Sequence, residues 1–174
     1  MTTDHHDASS LRAKVLTVSD GVMAGTREDR GGAGLVQRLG QAGFEVVDHR
    51  VTGDGREAVG EALVELAEGF AGLIVTTGGT GFGPRDLTPE GTLVVLDRQA
   101  PGLAEAMRLV SPLGRLSRAV AGTRGRALIL NTPGSPGGAV ECLEAVLDVV
   151  PHVLRLQAGE PTEHHTHPTH APKL

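Results

Sequence analysis

The chain of 174 residues has no Trp, no Tyr, three Phe and a single Cys. Its core must therefore be built from aliphatic side chains, and an intrachain disulfide is excluded. No apolar run approaches the ~18–20 residues of a membrane helix, because Gly, Asp or Pro interrupts every candidate. Met1 to Ser10 is polar and lacks the apolar stretch of a signal peptide, so a cytoplasmic location without membrane attachment is expected. Basic excess is also missing. The formal net charge of −5 argues against a general affinity for nucleic acid or anionic membrane and favours a small substrate.

What is abundant is glycine. The 25 Gly and 10 Pro make up about a fifth of the chain, below the roughly 25–30% of low-complexity sequences, so the excess calls for local explanations. Length predicts one domain. Residues 1–12 and 161–174 read as tails without an apolar period, the second rich in His, and 13–160 as the globular part. Adventitious metal binding is all those tail histidines suggest.

Within the globular part, short apolar runs alternate with helical patterns. Lys14 to Val18, Phe44 to Val51, Ala71 to Thr77 and Ala127 to Leu130 read as strands. Gly34 to Gln41 (closed by Gly43), the segment with Val59, Ala62, Leu63, Leu66 and Ala67, Leu103 to Val110, and a helix from Ala139 whose apolar face runs to Val150 lie between or after them. That alternation predicts an α/β fold with a mostly parallel sheet covered on both faces, whose ligands bind beyond the carboxyl ends of the strands.

Three loops fall at those ends. The first carries Ser19 and Asp20. The second runs from Thr76 through Gly78-Gly79-Thr80-Gly81 to Arg85-Asp86-Leu87-Thr88-Pro89-Glu90; its amides can approach phosphate without side-chain obstruction, although it matches neither the P-loop nor Gly-x-Gly-x-x-Gly. A glycine turn without a ligand is the competing reading. Thr88 reads as the cap of the following helix, leaving Asp86 free. The third loop, Asn131 to Gly138, offers Ser135, with a structural turn equally compatible. Asp20, Asp54 and Asp86 could converge as oxygen ligands for Mg²⁺ beside a phosphate cradle; for Asp54, helix capping competes evenly. Five Arg between Ala106 and Val140 (Arg108, Arg115, Arg118, Arg124, Arg126), with no acidic residue among them, suggest a phosphate-facing rim, a solvated face or a subunit contact. Cys142 lies on an apolar helix face and reads as packing.

Val18-Ser19-Asp20, Asp29-Arg30-Gly31-Gly32, Thr76 to Gly81, Arg85 to Glu90 and Leu128 to Gly134, in this order, resemble the molybdopterin adenylyltransferase family of MogA/MoaB type, over roughly Lys14 to Gln157. The resemblance implies a three-layer α/β/α domain, a homotrimer or hexamer, and Mg²⁺ with ATP as cosubstrate for adenylylation of molybdopterin. It further implies a molybdenum-inserting protein downstream. Carried onto this chain, it makes Asp54 and Asp86 catalytic and metal-binding. It assigns substrate binding to Ser19, Asp20, Gly78, Gly79, Thr80, Gly81, Arg85, Pro133, Gly134 and Ser135. Ser135-Pro136-Gly137-Gly138 is glycine-richer than the resemblance leads one to expect. A pterin-binding or scaffold module of weak activity is the alternative.

Overall fold

A computed structural model describes residues 11–160; the His-rich segment 161–174 and residues 1–10 lie outside the described residues. Strand β1 (Arg12–Val18) is followed by one turn of helix, α1 (Asp20–Met23), then α2 (Arg30–Gln41), β2 (Glu45–Thr52), α3 (Arg56–Ala67) and β3 (Gly72–Thr77). Next come α4 (Thr88–Leu93), β4 (Arg98–Gln99), α5 (Pro101–Arg108), a 3₁₀ helix (Pro112–Leu116), β5 (Ala121–Arg124), β6 (Ala127–Thr132), α6 (Pro136–Glu144) and α7 (Val150–Ala158). The sheet has six strands in the order β2-β1-β3-β6-β5-β4. Its first four are mutually parallel, and β5 and β4 are antiparallel to their neighbours.

Strand period explains the three layers. Ala13, Val15, Leu73, Val75, Leu128 and Leu130 face one side, where Leu35 and Leu39 of α2, Met107 of α5 and Leu143 of α6 meet them. Leu16, Val18, Ile74 and Ile129 face the other, against Val59, Leu63 and Leu66 of α3. All of these side chains are buried, as a parallel sheet sandwiched between helices requires. The chain steps from β1 outward to β2 over α2, then back past β1 to β3 over α3. Right-handed crossovers in opposite directions place the two helices on opposite faces, so β1 and β3 flank the point where the strand order reverses.

Several boundaries differ from the sequence reading. Arg12 already pairs with Glu45, so the strand begins inside the segment expected to be a tail. Helix α2 starts four residues before Gly34, because Asp29 caps it by accepting from the Gly32 amide at 2.8 Å. The expected helix from Ala139 to Val150 is two helices, with α6 beginning at Pro136. Strands β4 and β5 leave no mark in the sequence: Arg98–Gln99 is too short, and Ala121–Arg124 too polar, to show a strand period.

Candidate active site

The carboxyl ends of β1, β3 and β6 open into a cleft of about 820 Å³ at the reversal point, a volume ordinary for a small-molecule site. Of the residues singled out in the sequence, Ser19, Asp54, Gly78, Gly79, Thr80, Gly81, Asp86, Pro133 and Gly134 line it. Asp20, Arg85 and Ser135 do not.

The glycine loop leaves β3 through two residues with left-handed backbone, Gly78 at φ +103° and Gly79 at φ +65°. A Cβ on Gly78 would lie 2.2 Å from the Val18 carbonyl oxygen. Glycine is thus required both by conformation and by contact with β1. Thr88 is not the cap of α4 but its first residue. Its buried hydroxyl donates to the Gly78 carbonyl at 2.9 Å, and its amide to the Gly79 carbonyl at 3.0 Å. The Gly79 carbonyl therefore satisfies the first free amide of α4, and the Thr88 hydroxyl ties the loop to the helix start.

Asp86 folds back over this loop. Its Oδ2 accepts from the Gly83 amide at 2.8 Å, and a Cβ on Gly81 or Gly83 would meet the same oxygen at 2.9 or 2.8 Å. Asp54 does not cap α3, whose N-cap is Gly55 with no side-chain bond. Instead Asp54 Oδ2 accepts from the Asp20 amide at 2.8 Å, while Asp20 Oδ1 accepts from the Asp54 amide at 3.0 Å. Arg85 completes this exchange, donating to Asp20 at 2.6 and 3.1 Å and to the Asp54 carbonyl at 2.8 Å. Asp20 and Arg85 thus brace Asp54 from outside the cleft.

Arg85, with the Asp54 amide assisting, holds the Asp20 carboxyl below its ordinary range. A carboxyl lowered on folding contributes stability above its unfolded pKa, near ~4, and that contribution vanishes as pH falls through the lowered value. Melting temperatures measured from pH 6 down to pH 2 should converge for wild type and Arg85→Met at the acid end. Curves that stay parallel would remove the pair from the acid response.

On the opposite wall, the N-terminus of α2 presses against the strands. A Cβ on Gly32 would sit 2.3 Å from Thr17 Oγ1, and one on Gly31 2.9 Å from Thr77 Oγ1. Asp29 ties this corner together, accepting from Thr17 Oγ1 at 2.7 Å and lying 2.9 Å from His49 Nε2. Arg27, Asp29, Arg30 and Gly31 all line the cleft. None is assigned a site role by the sequence reading, although Asp29-Arg30-Gly31-Gly32 is one of the blocks that carry the resemblance and an Asp followed closely by Gly-Gly is a cap that lets a helix end approach closely.

The expected arginine rim takes a different form. Arg108 donates to the Ala119 carbonyl, Arg124 to the Val95 carbonyl and Arg118 to the Gly81 carbonyl, so three of these guanidinium groups hold backbone. Ser135 lies beside α6, where Gly138 leaves room for its hydroxyl: a Cβ there would be 2.5 Å away. That contact accounts for Gly138; nothing lies within 4 Å of a Cβ on Gly137.

Asp54 Oδ1 and Asp86 Oδ1 accept no hydrogen bond among the described residues. Two carboxylates are hard oxygen donors that suit Mg²⁺ carried with substrate phosphates. Among the described residues, no group of three or more His, Cys, Asp or Glu could hold a metal ion, so Asp20, Asp54 and Asp86 do not converge as a three-carboxylate site. No helix there is long and apolar enough to cross a membrane.

Residues 14–152 match the family model described as a probable molybdopterin binding domain. The chain is 36% identical over 157 residues to the molybdopterin adenylyltransferase of Helicobacter pylori J99, covering 86% of this chain and 89% of that protein. It is 38% identical over 154 residues to the molybdopterin adenylyltransferase of Escherichia coli K12, covering 84% and 78%. The molybdopterin biosynthesis enzyme MoaB of Thermus thermophilus superposes with a TM-score of 0.81 at 49% identity, over 87% of this chain and 98% of that one. A family match across most of the globular part, a shared fold and a cleft built from the same blocks converge: the chain belongs to the molybdopterin-binding domain family.

Proposed function

We propose that the protein is a molybdopterin adenylyltransferase, transferring the adenylyl group of ATP to molybdopterin in molybdenum cofactor biosynthesis. The observation that carries this reading is the cleft, in which Asp54 and Asp86 both lie against the glycine loop at the sheet's reversal point, in a chain whose relatives bear that name. An oxygen of the terminal phosphate of molybdopterin attacks the α-phosphorus of ATP. The bond from that phosphorus to the bridging oxygen of the β-phosphate breaks, and pyrophosphate leaves with the electron pair. Such chemistry asks the protein mainly for positioning and charge neutralisation.

Loop amides at Gly79 to Gly81 and the Gly31 amide at the start of α2 present donors to phosphate oxygens, whereas the Gly78 amide donates to the Thr132 carbonyl at 3.2 Å. Asp54 and Asp86 would hold Mg²⁺, which when bound neutralises charge on the transferred phosphate. Asp20 and Arg85 keep Asp54 oriented. Arg27 supplies positive charge at the cleft wall, where Arg30 is paired with Glu28 at 3.0 Å. In the same reading the chain works in the cytoplasm as a homotrimer and hands its product to a molybdenum-inserting protein. The exposed Leu109 and Val110 offer apolar surface for assembly.

Incubation with molybdopterin, ATP and Mg²⁺ should yield adenylyl-molybdopterin and pyrophosphate in equal amounts. Pterin binding without transfer would identify a binding module instead, and ATP binding without pterin binding would dissociate the chain from this chemistry.

A further inference from the structure

We infer that Arg118 is a positioning residue that holds the Asp86 carboxylate in its working place, an inference that rests on the functional reading above. Arg118 follows the 3₁₀ helix and does not line the cleft, although its neighbour Ser117 does. Its Nε donates to the Gly81 carbonyl at 2.7 Å, its Nη2 to the Asp86 carbonyl, and its Nη1 to the Glu90 carboxylate. Its own amide donates to the Thr80 carbonyl at 3.0 Å. One residue thus grips the turn at both ends, before it at Thr80 and Gly81 and after it at Asp86 and Glu90.

The turn needs such a grip. Residues 82–86 belong to no strand or helix, and their internal bonds run among Gly83, Arg85, Asp86 and Leu87 alone. Those bonds preserve the shape of the turn, and the Arg85 side chain ties its far corner to Asp20 and the Asp54 carbonyl. Arg118 supplies the second anchor, the one that reaches the backbone of Asp86 itself, and the Phe82 ring, with its centroid 5.8 Å from the Arg118 guanidinium carbon, lies beside the clamp. The acceptors at 81, 86 and 90 diverge around one planar group. A guanidinium fork meets all three, whereas an ammonium is a compact point charge without that geometry.

With all three nitrogens directed at protein acceptors and Glu90 neutralising its charge, Arg118 acts through Asp86 rather than on phosphate. Arg118 also holds the Glu90 carboxyl below its ordinary range. Groups that orient a metal ligand typically matter by about 10–100-fold in metal affinity or activity.

The test compares full-length wild type, Arg118→Lys and Arg118→Met. Amide hydrogen exchange across residues 80–90 is read together with calorimetric binding of ATP at varied Mg²⁺, and with adenylyl transfer across the same Mg²⁺ range. Faster exchange at Gly83 and Asp86 is expected in both variants, with the Mg²⁺ concentration for half-maximal binding and turnover raised about 10–100-fold and the KM for molybdopterin unchanged. Should Arg118→Met fail to fold, Arg118→Lys carries the comparison, since it keeps the charge and loses only the fork. Wild-type exchange in the turn, or a wild-type Mg²⁺ requirement with turnover lost, overturns the assignment. Absence of transfer by wild type would overturn the functional reading alone, because exchange and Mg²⁺-dependent ATP binding still decide the role of Arg118.

Discussion

Asp86→Asn should fold normally and lose adenylyl transfer by about 10²-fold or more, roughly 3 kcal/mol of transition-state stabilisation, as is usual when one preorganised electrostatic contact is removed. The structure explains why this substitution separates charge from shape. Asp86 Oδ2 accepts the Gly83 amide, and the amide oxygen of Asn can accept the same hydrogen, so the turn is retained. What disappears is the negative charge and the second oxygen free for a metal. Molybdopterin affinity should survive on the same sample. Wild-type turnover across a Mg²⁺ titration would remove Asp86 from the mechanism, and loss of pterin binding together with activity would show that its main work is to hold the loop.

Gly78→Ala should lower stability by about 3 kcal/mol and weaken ATP binding as well. A left-handed backbone costs a side chain roughly 1–2 kcal/mol, and overpacking adds about 1–3 kcal/mol. Here the contact is severe: the new Cβ would lie 2.2 Å from the Val18 carbonyl oxygen of β1, a central strand that cannot yield as a flexible side chain would. For a chain of this length the melting temperature should fall by roughly 6–12 °C. Gly43→Ala is the control. Gly43 also has positive φ, +86°, but nothing lies within 4 Å of its would-be Cβ, so only the conformational cost of roughly 1–2 kcal/mol applies. Equal melting temperatures for the two variants would mean that the loop shifts away from β1 without cost.

The architecture and much of the cleft were legible because both rest on local signals. Runs such as Leu73-Ile74-Val75 and Leu128-Ile129-Leu130 announce strands buried on both faces, and glycines directly after such a run announce a loop at a carboxyl end. From these, the α/β class, the parallel strands and the glycine loop with Asp86 followed. Five spaced blocks of sequence were enough for the family resemblance.

Partners distant in sequence were not legible. Asp20 and Asp54 exchange hydrogen bonds across 34 positions, and Arg85 reaches back 65 positions to Asp20. Nothing in the residues around any of them encodes that meeting. Thr88 has the composition of a cap, but the glycine loop folds over the start of α4 and claims its hydroxyl. The arginines between Ala106 and Val140 have the composition of a phosphate rim, yet Arg108, Arg118 and Arg124 turn inward to backbone carbonyls left by irregular segments. By itself the sequence determined the parallel strands, the helices between them and the identity of the loop, though not β4, β5 or the division between α6 and α7, because hydrophobic period and glycine chemistry act over a few residues. Only the tertiary structure decided which polar groups face the ligand and which brace them, because each buried or crowded donor finds its acceptor after the strands are in register.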